Sequence, residues 1–274
     1  AVRIVPDRYR SIALSMVVTG SSIAMILGMP LGRVIGLHVG WRMTFFSIGV
    51  FSALTFLYIA WRLPKVPSGG GFSPKKLPEL LRHKGIMGLY LFTLLISSAI
   101  YVAYSYIEPF LKQVSLMPDD WVTTALMVFG GAGLLGSIAF SKYYNRNRKL
   151  FITVDVAAMA LCLLLLYPVS SGFLPVIVLL AVWGATATAY NVAMQSNMIL
   201  VTTPESTPVA MSIFSGIFNL GIGSGAFFGG AICSDLSISY IGLAGGVLAL
   251  IGLVYWVARL GNRIEPKDTL DKYL

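Results

Sequence analysis

The sequence predicts an all-α membrane protein with eight transmembrane helices. Of its 274 residues, 57% are hydrophobic and 11% are charged, and its mean hydropathy of +0.81 is far above that of a soluble domain. Apolar runs of roughly 18 to 25 residues recur along the chain, and each is long enough to cross a hydrocarbon core of about 30 Å as a helix. The basic residues lie in the loops between these runs, so topology and not nucleic-acid binding explains the net charge of +9.

The predicted spans follow from the positions of the apolar runs and of the turn and charge signals between them. They cover residues 11–36, 41–61, 85–107, 121–140, 150–167, 174–200, 209–232 and 238–258.

The distribution of Lys and Arg predicts the orientation in the membrane. Every basic residue except Arg33, Arg42 and Lys112 falls on the same side. By the positive-inside rule, both termini and the long loop after the second span are cytoplasmic. We therefore expect a multi-pass protein of a bacterial cytoplasmic (inner) membrane.

A faint internal repeat sets the domain organisation. Residues 13–36 and 210–230 share a glycine-interrupted plan in which Gly28 corresponds to Gly225 and Gly32 to Gly229, as in transporters built from repeated halves. The second copy is the fifth span after the loop, so the first copy is expected to be the fifth helix of its own half. Four upstream helices would then be missing, and the first residue, Ala1 in place of Met, also suggests an internal start.

This reading divides the chain into four segments. The expected segments are the last two helices of an N-terminal half at 1–62, a cytoplasmic linker at 63–84, a C-terminal six-helix bundle at 85–258 and a cytoplasmic tail at 259–274.

Glycines at every fourth residue predict close helix packing in both copies of the repeat. Pro30 lies among Gly28 and Gly32 and removes a backbone hydrogen bond, so it is expected to bend that helix near its outer end and form part of a gate. Gly225 and Gly229 are the matching packing positions in the second copy.

One polar stripe is predicted on the third span. Ser97, Tyr101, Tyr104 and Glu108 fall at helical spacing. A tyrosine offers an apolar ring and a hydroxyl, and a carboxylate accepts hydrogen bonds from hydroxyls, which suits a polyhydroxylated ligand. The alternatives are plain packing for the tyrosines and a structural role for Glu108, which stands before Pro109 at the end of the span.

Two further polar stripes suggest that the bundle encloses a polar cavity. Thr188, Asn191 and Gln195 lie at helical spacing close to Trp183, and Ser212, Ser215 and Asn219 do so on the next span. The substrate-binding candidates on these two stripes are Thr188, Asn191, Gln195, Ser215 and Asn219. Hydrogen bonding between helices is the alternative role for each of them.

Asp155 and Glu108 are the candidates for proton coupling. Asp155 is the one acid well inside a predicted span, where an acid is costly and commonly functional. The alternative for Asp155 is that its carboxyl reaches back toward the basic cluster at 146–149.

Motifs of soluble enzymes are absent from the sequence. It contains no HExxH, GxSxG or GxxxxGK[ST] pattern, and its two histidines, His38 and His83, fall in predicted loops. We therefore expect neither an enzyme nor a metal or cofactor.

Five segments of the sequence are distinctive: ALSMVVTGSSIAMILGMPLGRVIG at 13–36, GWRMTF at 40–45, AYSYIEPF at 103–110, GGAGLLGS at 130–137 and AMSIFSGIFNLGIGSGA at 210–226. In these segments the chain resembles bacterial sugar efflux transporters of the SotB type, in the drug:proton antiporter branch of the major facilitator superfamily. The segment from Gly28 to Gly32 is similar to the bent-helix motif that exporters of this superfamily carry in their fifth helix. The loop at 136–149 lacks the aspartate of the family's conserved loop motif.

The resemblance implies a twelve-helix major facilitator fold of which the last eight helices are present. It also implies export of an arabinose-like or galactoside-like sugar in exchange for protons, by alternating access. A multidrug exporter of the same fold is one alternative, and a non-transporting membrane scaffold or truncated remnant is another. Because half of the cavity wall would be absent, we expect this chain to insert into the bilayer but to need the missing N-terminal helices for transport.

Overall fold

A computed structural model of the chain describes residues 31–62, 82–203 and 205–261, together with residues 28 and 80. All regular secondary structure in these ranges is helical, which confirms the predicted all-α class. The chain divides into two compact units, with the boundary between residues 71 and 72.

The first unit contains a helical segment at 31–38 and helix α1 (Trp41–Arg62). Gly40 joins them with a φ of +96°, in the left-handed region that glycine adopts without a steric penalty. The Thr44 hydroxyl donates a hydrogen bond to the Gly32 carbonyl at 3.2 Å, so the two helices meet on the glycine face. No residue of α1 is buried. Pro30 lies outside the described residues.

The second unit contains the other helices. They are α2 (Lys84–Tyr104), α3 (Ile107–Gln113), α4 (Asp119–Tyr143), α5 (Arg148–Leu165), α6 (Phe173–Leu200), α7 (Thr207–Asp235) and α8 (Ile241–Tyr255). A 3₁₀ turn (Ile238–Tyr240) precedes α8, and a π-helical turn (Trp256–Leu260) follows it.

Six helical stretches among the described residues are long and apolar enough to cross a membrane. They are Trp41–Arg62, Lys84–Gln113, Asp119–Tyr143, Phe173–Leu200, Thr207–Asp235 and Ile238–Leu260. Helix α5 is shorter, with 18 residues, and carries the charges of Arg148, Lys149 and Asp155. Most of the predicted first span, 11–36, lies outside the described residues.

The third predicted span is wrong in one respect, because its helix does not end at Glu108 and Pro109. Helix α2 stops at Tyr104, a turn of two residues follows, and α3 starts at Ile107 and contains both Glu108 and Pro109. Proline is tolerated there because the N–H groups of the first helical turn have no partner within the helix.

The helices of the second unit pack in a definite order. Helix α2 packs against both α7 and α8. Helix α8 also packs against α5, α5 packs against α6, and α6 packs along α4. The core therefore lies between α2 and the helices α4, α5, α6 and α8. Large fully buried side chains include those of Phe92, Trp183, Tyr190 and Trp256.

Glycines allow several of these helix pairs to approach closely. A Cβ atom on Gly225 would lie 2.6 Å from the Ser98 carbonyl oxygen, and one on Gly229 would lie 2.5 Å from that of Val102, so α7 meets the backbone of α2 directly. Gly184 of α6 likewise faces the Phe129 carbonyl of α4. Such small-residue contacts are typical of helix pairs in membranes.

Candidate substrate site

Five aromatic rings from four helices of the second unit form the centre of the candidate site. They belong to Tyr101 and Tyr104 of α2, Phe129 of α4, Trp183 of α6 and Phe218 of α7. We refer to these five residues as the aromatic cluster.

Tyr104 connects the two sides of the aromatic cluster. Its ring stacks on that of Phe129 with the centroids 4.7 Å apart, and it meets the edge of Trp183 at 6.1 Å. On its other side it is perpendicular to Tyr101 at 5.7 Å, and Tyr101 contacts Phe218 in the same manner at 6.3 Å. These are the offset and edge-to-face arrangements that aromatic quadrupoles favour.

The cluster combines a buried base with a more open edge. Trp183 and Phe129 are buried, whereas Tyr101 and Tyr104 are only partly buried. The Trp183 Nε1 atom is buried and has no hydrogen-bond partner among the described residues. Tyr101, Tyr104 and the likewise partly buried Phe218 therefore form the accessible part of the site, and Trp183 supports Tyr104 from behind.

The turn after α2 separates the predicted stripe into two parts. Ser97 packs against Gly221 of α7, and its hydroxyl donates to the Thr93 carbonyl at 2.6 Å, so it fills the interface between two helices. Glu108 stands on α3, where Lys112 lies 3.5 Å from it and 2.9 Å from Asp119. Tyr101 and Tyr104 alone join the aromatic cluster.

The polar side chains of α6 occupy two different environments. Thr188 packs against Gly133, where it lies in the interface between α6 and α4. Gln195 is exposed, and its amide donates a hydrogen bond to the Asn191 side chain one turn earlier. Asn191 and Gln195 are therefore available to a ligand, whereas Thr188 is mainly a packing residue.

The polar side chains of α7 line an exposed face of that helix. Ser212, Ser215 and Asn219 are all exposed. The Asn219 amide donates to the Ser215 carbonyl at 2.8 Å, and the Ser212 hydroxyl donates to the Pro208 carbonyl at 2.9 Å. Asn219 adjoins Phe218, which places this face beside the aromatic cluster.

Asp155 is buried beside a cavity that Arg146 and Asn147 of the basic cluster also line. Asp155 is 8% exposed, and its Oδ2 atom has no hydrogen-bond partner among the described residues. Asp155 lies on the side of α5 that faces α4 and α6, and the Arg146 guanidinium lies at the same cavity, over the Tyr143 ring at 5.6 Å. An approach of the carboxyl to the basic cluster stays a prediction.

A hydrogen bond joins α6 to the residue that follows α4. The Tyr144 hydroxyl donates to Asn197 Oδ1 at 2.9 Å, and both residues are buried. Burial raises the pKa of Tyr144 to about 12, although the nearby Arg148 acts in the opposite direction. The hydroxyl therefore stays protonated and donates over the whole physiological pH range.

Phe129 and Phe218 are absent from the site residues predicted from sequence. Phe218 adjoins Asn219, so an aromatic residue next to a polar stripe is a signal that points to it. Phe129 has no such signal, because a phenylalanine in an apolar span is usually a packing residue.

The sequence also matches a known protein family. The family model described as Major Facilitator Superfamily matches residues 1–185 and 148–272.

Proposed function

Because these matches extend over nearly the whole length, the chain belongs to the Major Facilitator Superfamily of membrane transporters, and we propose that it exports sugars in exchange for protons. The substrate class that we favour is an arabinose-like or galactoside-like sugar. The membrane that we favour is the bacterial cytoplasmic membrane, with both termini of this chain on the cytoplasmic side.

The aromatic cluster is the observation that carries the sugar proposal. A sugar ring has apolar C–H faces and a rim of hydroxyls, so it is bound by aromatic faces together with hydrogen-bonding groups at their edges. Tyr101 and Tyr104 offer both, and each is only partly buried. Phe129 and Trp183 fix the position of Tyr104 by ring contacts.

Polar groups on α6 and α7 support the same substrate class. The amides of Asn191, Gln195 and Asn219 each have donors and acceptors, and Gln195 and Asn219 are exposed. Their hydrogen bonds are made within one helix, so a sugar hydroxyl can exchange with them at low cost. Ser215 adds one hydroxyl on the same face of α7 as Asn219.

Asp155 is the residue that we favour for the proton. A buried carboxyl whose Oδ2 atom has no partner offers a position for a proton to bind and leave. Glu108 is the second candidate, but it already lies within 3.5 Å of Lys112. Asp155 stands on α5, which contributes no residue to the aromatic cluster, so coupling would act through the movement of helices.

The direct test is uptake of labelled arabinose and a labelled galactoside into everted membrane vesicles under an imposed pH gradient, measured for this chain and for the chain extended by its upstream reading frame. We expect Asp155→Asn to abolish gradient-driven uptake while sugar exchange at equilibrium continues, because exchange needs no net proton movement. Asp120→Asn is the matched control, since Asp120 is exposed near the start of α4, and it should leave both activities intact. Loss of both activities in Asp155→Asn would contradict a role specific to the proton.

A second test addresses the site itself. Tyr104→Ala should weaken sugar binding to the purified chain at least tenfold, because it removes the ring that joins the two sides of the cluster. Tyr240→Ala is the control, since Tyr240 is 51% exposed outside the cluster. Equal binding by both variants, or no sugar binding by the unaltered chain, would favour the scaffold alternative over a sugar site.

Export of amphipathic drugs is the second candidate function. The stack of Tyr104, Phe129 and Trp183 presents apolar rings and no charge, which also suits an aromatic drug. Competition separates the two functions. A sugar that displaces a bound dye in micromolar amounts would favour sugar export, and a dye that binds without any effect of sugar would favour drug export.

A further inference from the structure

A crevice opens between α4, α5 and α6 in the second unit. Its volume is about 560 Å³, and its walls are mainly apolar. The wall residues include Leu135, Ala139, Leu150, Val154, Ala158 and Ala185. Helices α4 and α5 have few contacts with each other, while both pack on α6, so α6 forms the floor of the crevice.

The crevice has the length of one leaflet of a bilayer. Its lining on α5 extends from Asn147 to Ala158, which corresponds to about 16 Å at a rise of roughly 1.5 Å per residue. Half of a hydrocarbon core of about 30 Å is about 15 Å. Leu135, Leu150 and Val154 are each more than half exposed, so a flexible hydrocarbon chain can lie along them.

Two cations lie at the end of the crevice where α4 finishes and α5 begins. The Lys142 ammonium and the Arg146 guanidinium lie 5.4 Å and 5.6 Å from the centroid of the Tyr143 ring, and Tyr143 and Arg146 line the crevice. Neither cation forms an ion pair with a described residue. The positive-inside rule assigns this end to the cytoplasm. The crevice therefore combines an apolar slot with a positively charged mouth at the membrane surface.

The acid in the crevice does not oppose an apolar occupant. Asp155 is 8% exposed, and its Oδ2 atom is fully buried, so that oxygen does not form part of the accessible wall. The hydroxyl of Thr186, which also lines the crevice, donates to the Trp183 carbonyl at 2.9 Å. Most of the accessible surface is hydrocarbon.

We propose that this crevice binds an anionic phospholipid of the cytoplasmic leaflet. One acyl chain lies between α4 and α5, and the phosphate lies against Lys142 and Arg146. The charge of the mouth excludes a cationic headgroup as the preferred ligand, and basic pockets between transmembrane helices on the cytoplasmic side are known to suit anionic headgroups. The proposal does not depend on which solute the transporter moves.

The experiment measures binding of dioleoyl phosphatidylglycerol and dioleoyl phosphatidylcholine to the purified, delipidated chain by native mass spectrometry. We expect the unaltered chain to retain the anionic lipid in preference to the zwitterionic one. Each cation near a membrane surface contributes about fivefold in affinity for an anionic lipid, so the variant Lys142→Gln/Arg146→Gln should lose about 25-fold. Arg82→Gln/Lys84→Gln removes two exposed charges elsewhere on the same side, and it should change binding less than threefold.

A second pair of variants tests the slot for the chain. Ala158→Phe fills the crevice and should lower retention of both lipids, whereas Ala231→Phe, at an exposed position of α7, should not. Loss of binding in the charge variant with full binding in Ala158→Phe would overturn the proposal, since surface charge alone would then explain the lipid. Equal losses in the test and control variants would overturn it as well, as would displacement of the lipid by millimolar glycerol phosphate. Unchanged elution in size-exclusion chromatography establishes that each variant is folded.

Discussion

The contact between α7 and α2 makes a sharp prediction for two glycines that lie two residues apart. An added Cβ on Gly225 would lie 2.6 Å from the Ser98 carbonyl oxygen and 3.0 Å from both the Val102 nitrogen and the Tyr101 Cβ. These are mainly backbone atoms, which cannot rotate away. An added Cβ on Gly223 meets no atom within 4 Å. Gly225→Ala and Gly223→Ala are thus the same chemical change on the same helix, in two different surroundings.

The magnitude follows from two terms. Both substitutions gain about 0.8 to 1.0 kcal/mol of helix propensity, which cancels in the comparison. Gly225→Ala alone also costs about 1 to 3 kcal/mol of overpacking, because α7 must move away from α2. At roughly 2 to 4 °C per kcal/mol for a unit of this size, Gly225→Ala should unfold about 2 to 12 °C below Gly223→Ala.

The assay is thermal unfolding of the two purified variants in the same detergent, followed by intrinsic fluorescence. The substitution at Gly225 should also weaken sugar binding, because it displaces the backbone that carries Tyr101, whereas Gly223→Ala should bind like the unaltered chain. Equal melting temperatures for the two variants would refute the inference that α7 and α2 are in backbone contact at Gly225.

Three further predictions concern single side chains. Phe129→Ala should cost about 3 to 5 kcal/mol in thermal unfolding, because it empties a buried site between two rings, and a loss below 1 kcal/mol would contradict that burial. Tyr144→Phe should cost about 1 to 3 kcal/mol, because Asn197 Oδ1 loses its donor. Since the pKa of Tyr144 is raised to about 12, this cost should be equal at pH 6 and pH 9 and disappear only as the pH rises from about 10 through 12; a cost that changes between pH 6 and pH 9 would contradict the raised pKa. Lys112→Ala should lower the free energy of unfolding by at most about 1 kcal/mol, and by less in 1 M salt, because its ion pairs are partly exposed. A larger loss of stability that does not depend on salt would argue against this account.

Most of the fold is predictable from the sequence because hydrocarbon imposes a simple length rule. The run at 174–200 becomes α6 (Phe173–Leu200), and the run at 121–140 becomes α4 (Asp119–Tyr143). Short polar or glycine-containing segments separate the helices, so the limits of each helix are marked in the sequence.

The break after Tyr104 is not predictable in the same way. The two residues of the turn are Ser105 and Tyr106, and neither is a glycine or proline that would mark a break in the helix. The turn depends instead on tertiary contacts. The Tyr106 hydroxyl donates to the Ala226 carbonyl of α7 at 3.0 Å, and its ring packs against Gly229. A contact between residues so distant in sequence leaves no local signal.

The candidate site shows the same limit. Spacing on one helix places Tyr101 and Tyr104 near each other, and the structure agrees, with 5.7 Å between their centroids. Spacing cannot show which neighbouring helix a residue faces, so it does not separate Thr188, which packs against Gly133, from the exposed Gln195. The partner of a polar residue in a bundle is decided by the rotation of its helix, which depends on all the neighbouring helices.

The glycine contacts also determine which helices of the second unit can move relative to each other. Where backbone meets backbone, no side chain can change its rotamer to absorb a displacement, so α2 is tied to α7 and α8, α8 is tied to α5, and α4 is tied to α6. Direct contacts between the pair of α2 and α7 and the pair of α4 and α6 are few, and the aromatic cluster crosses that boundary through the ring of Tyr104 on Phe129. Sliding of one pair against the other would therefore first change the 4.7 Å distance between the ring centroids of Tyr104 and Phe129. The same movement would displace a solute bound on the ring of Tyr104.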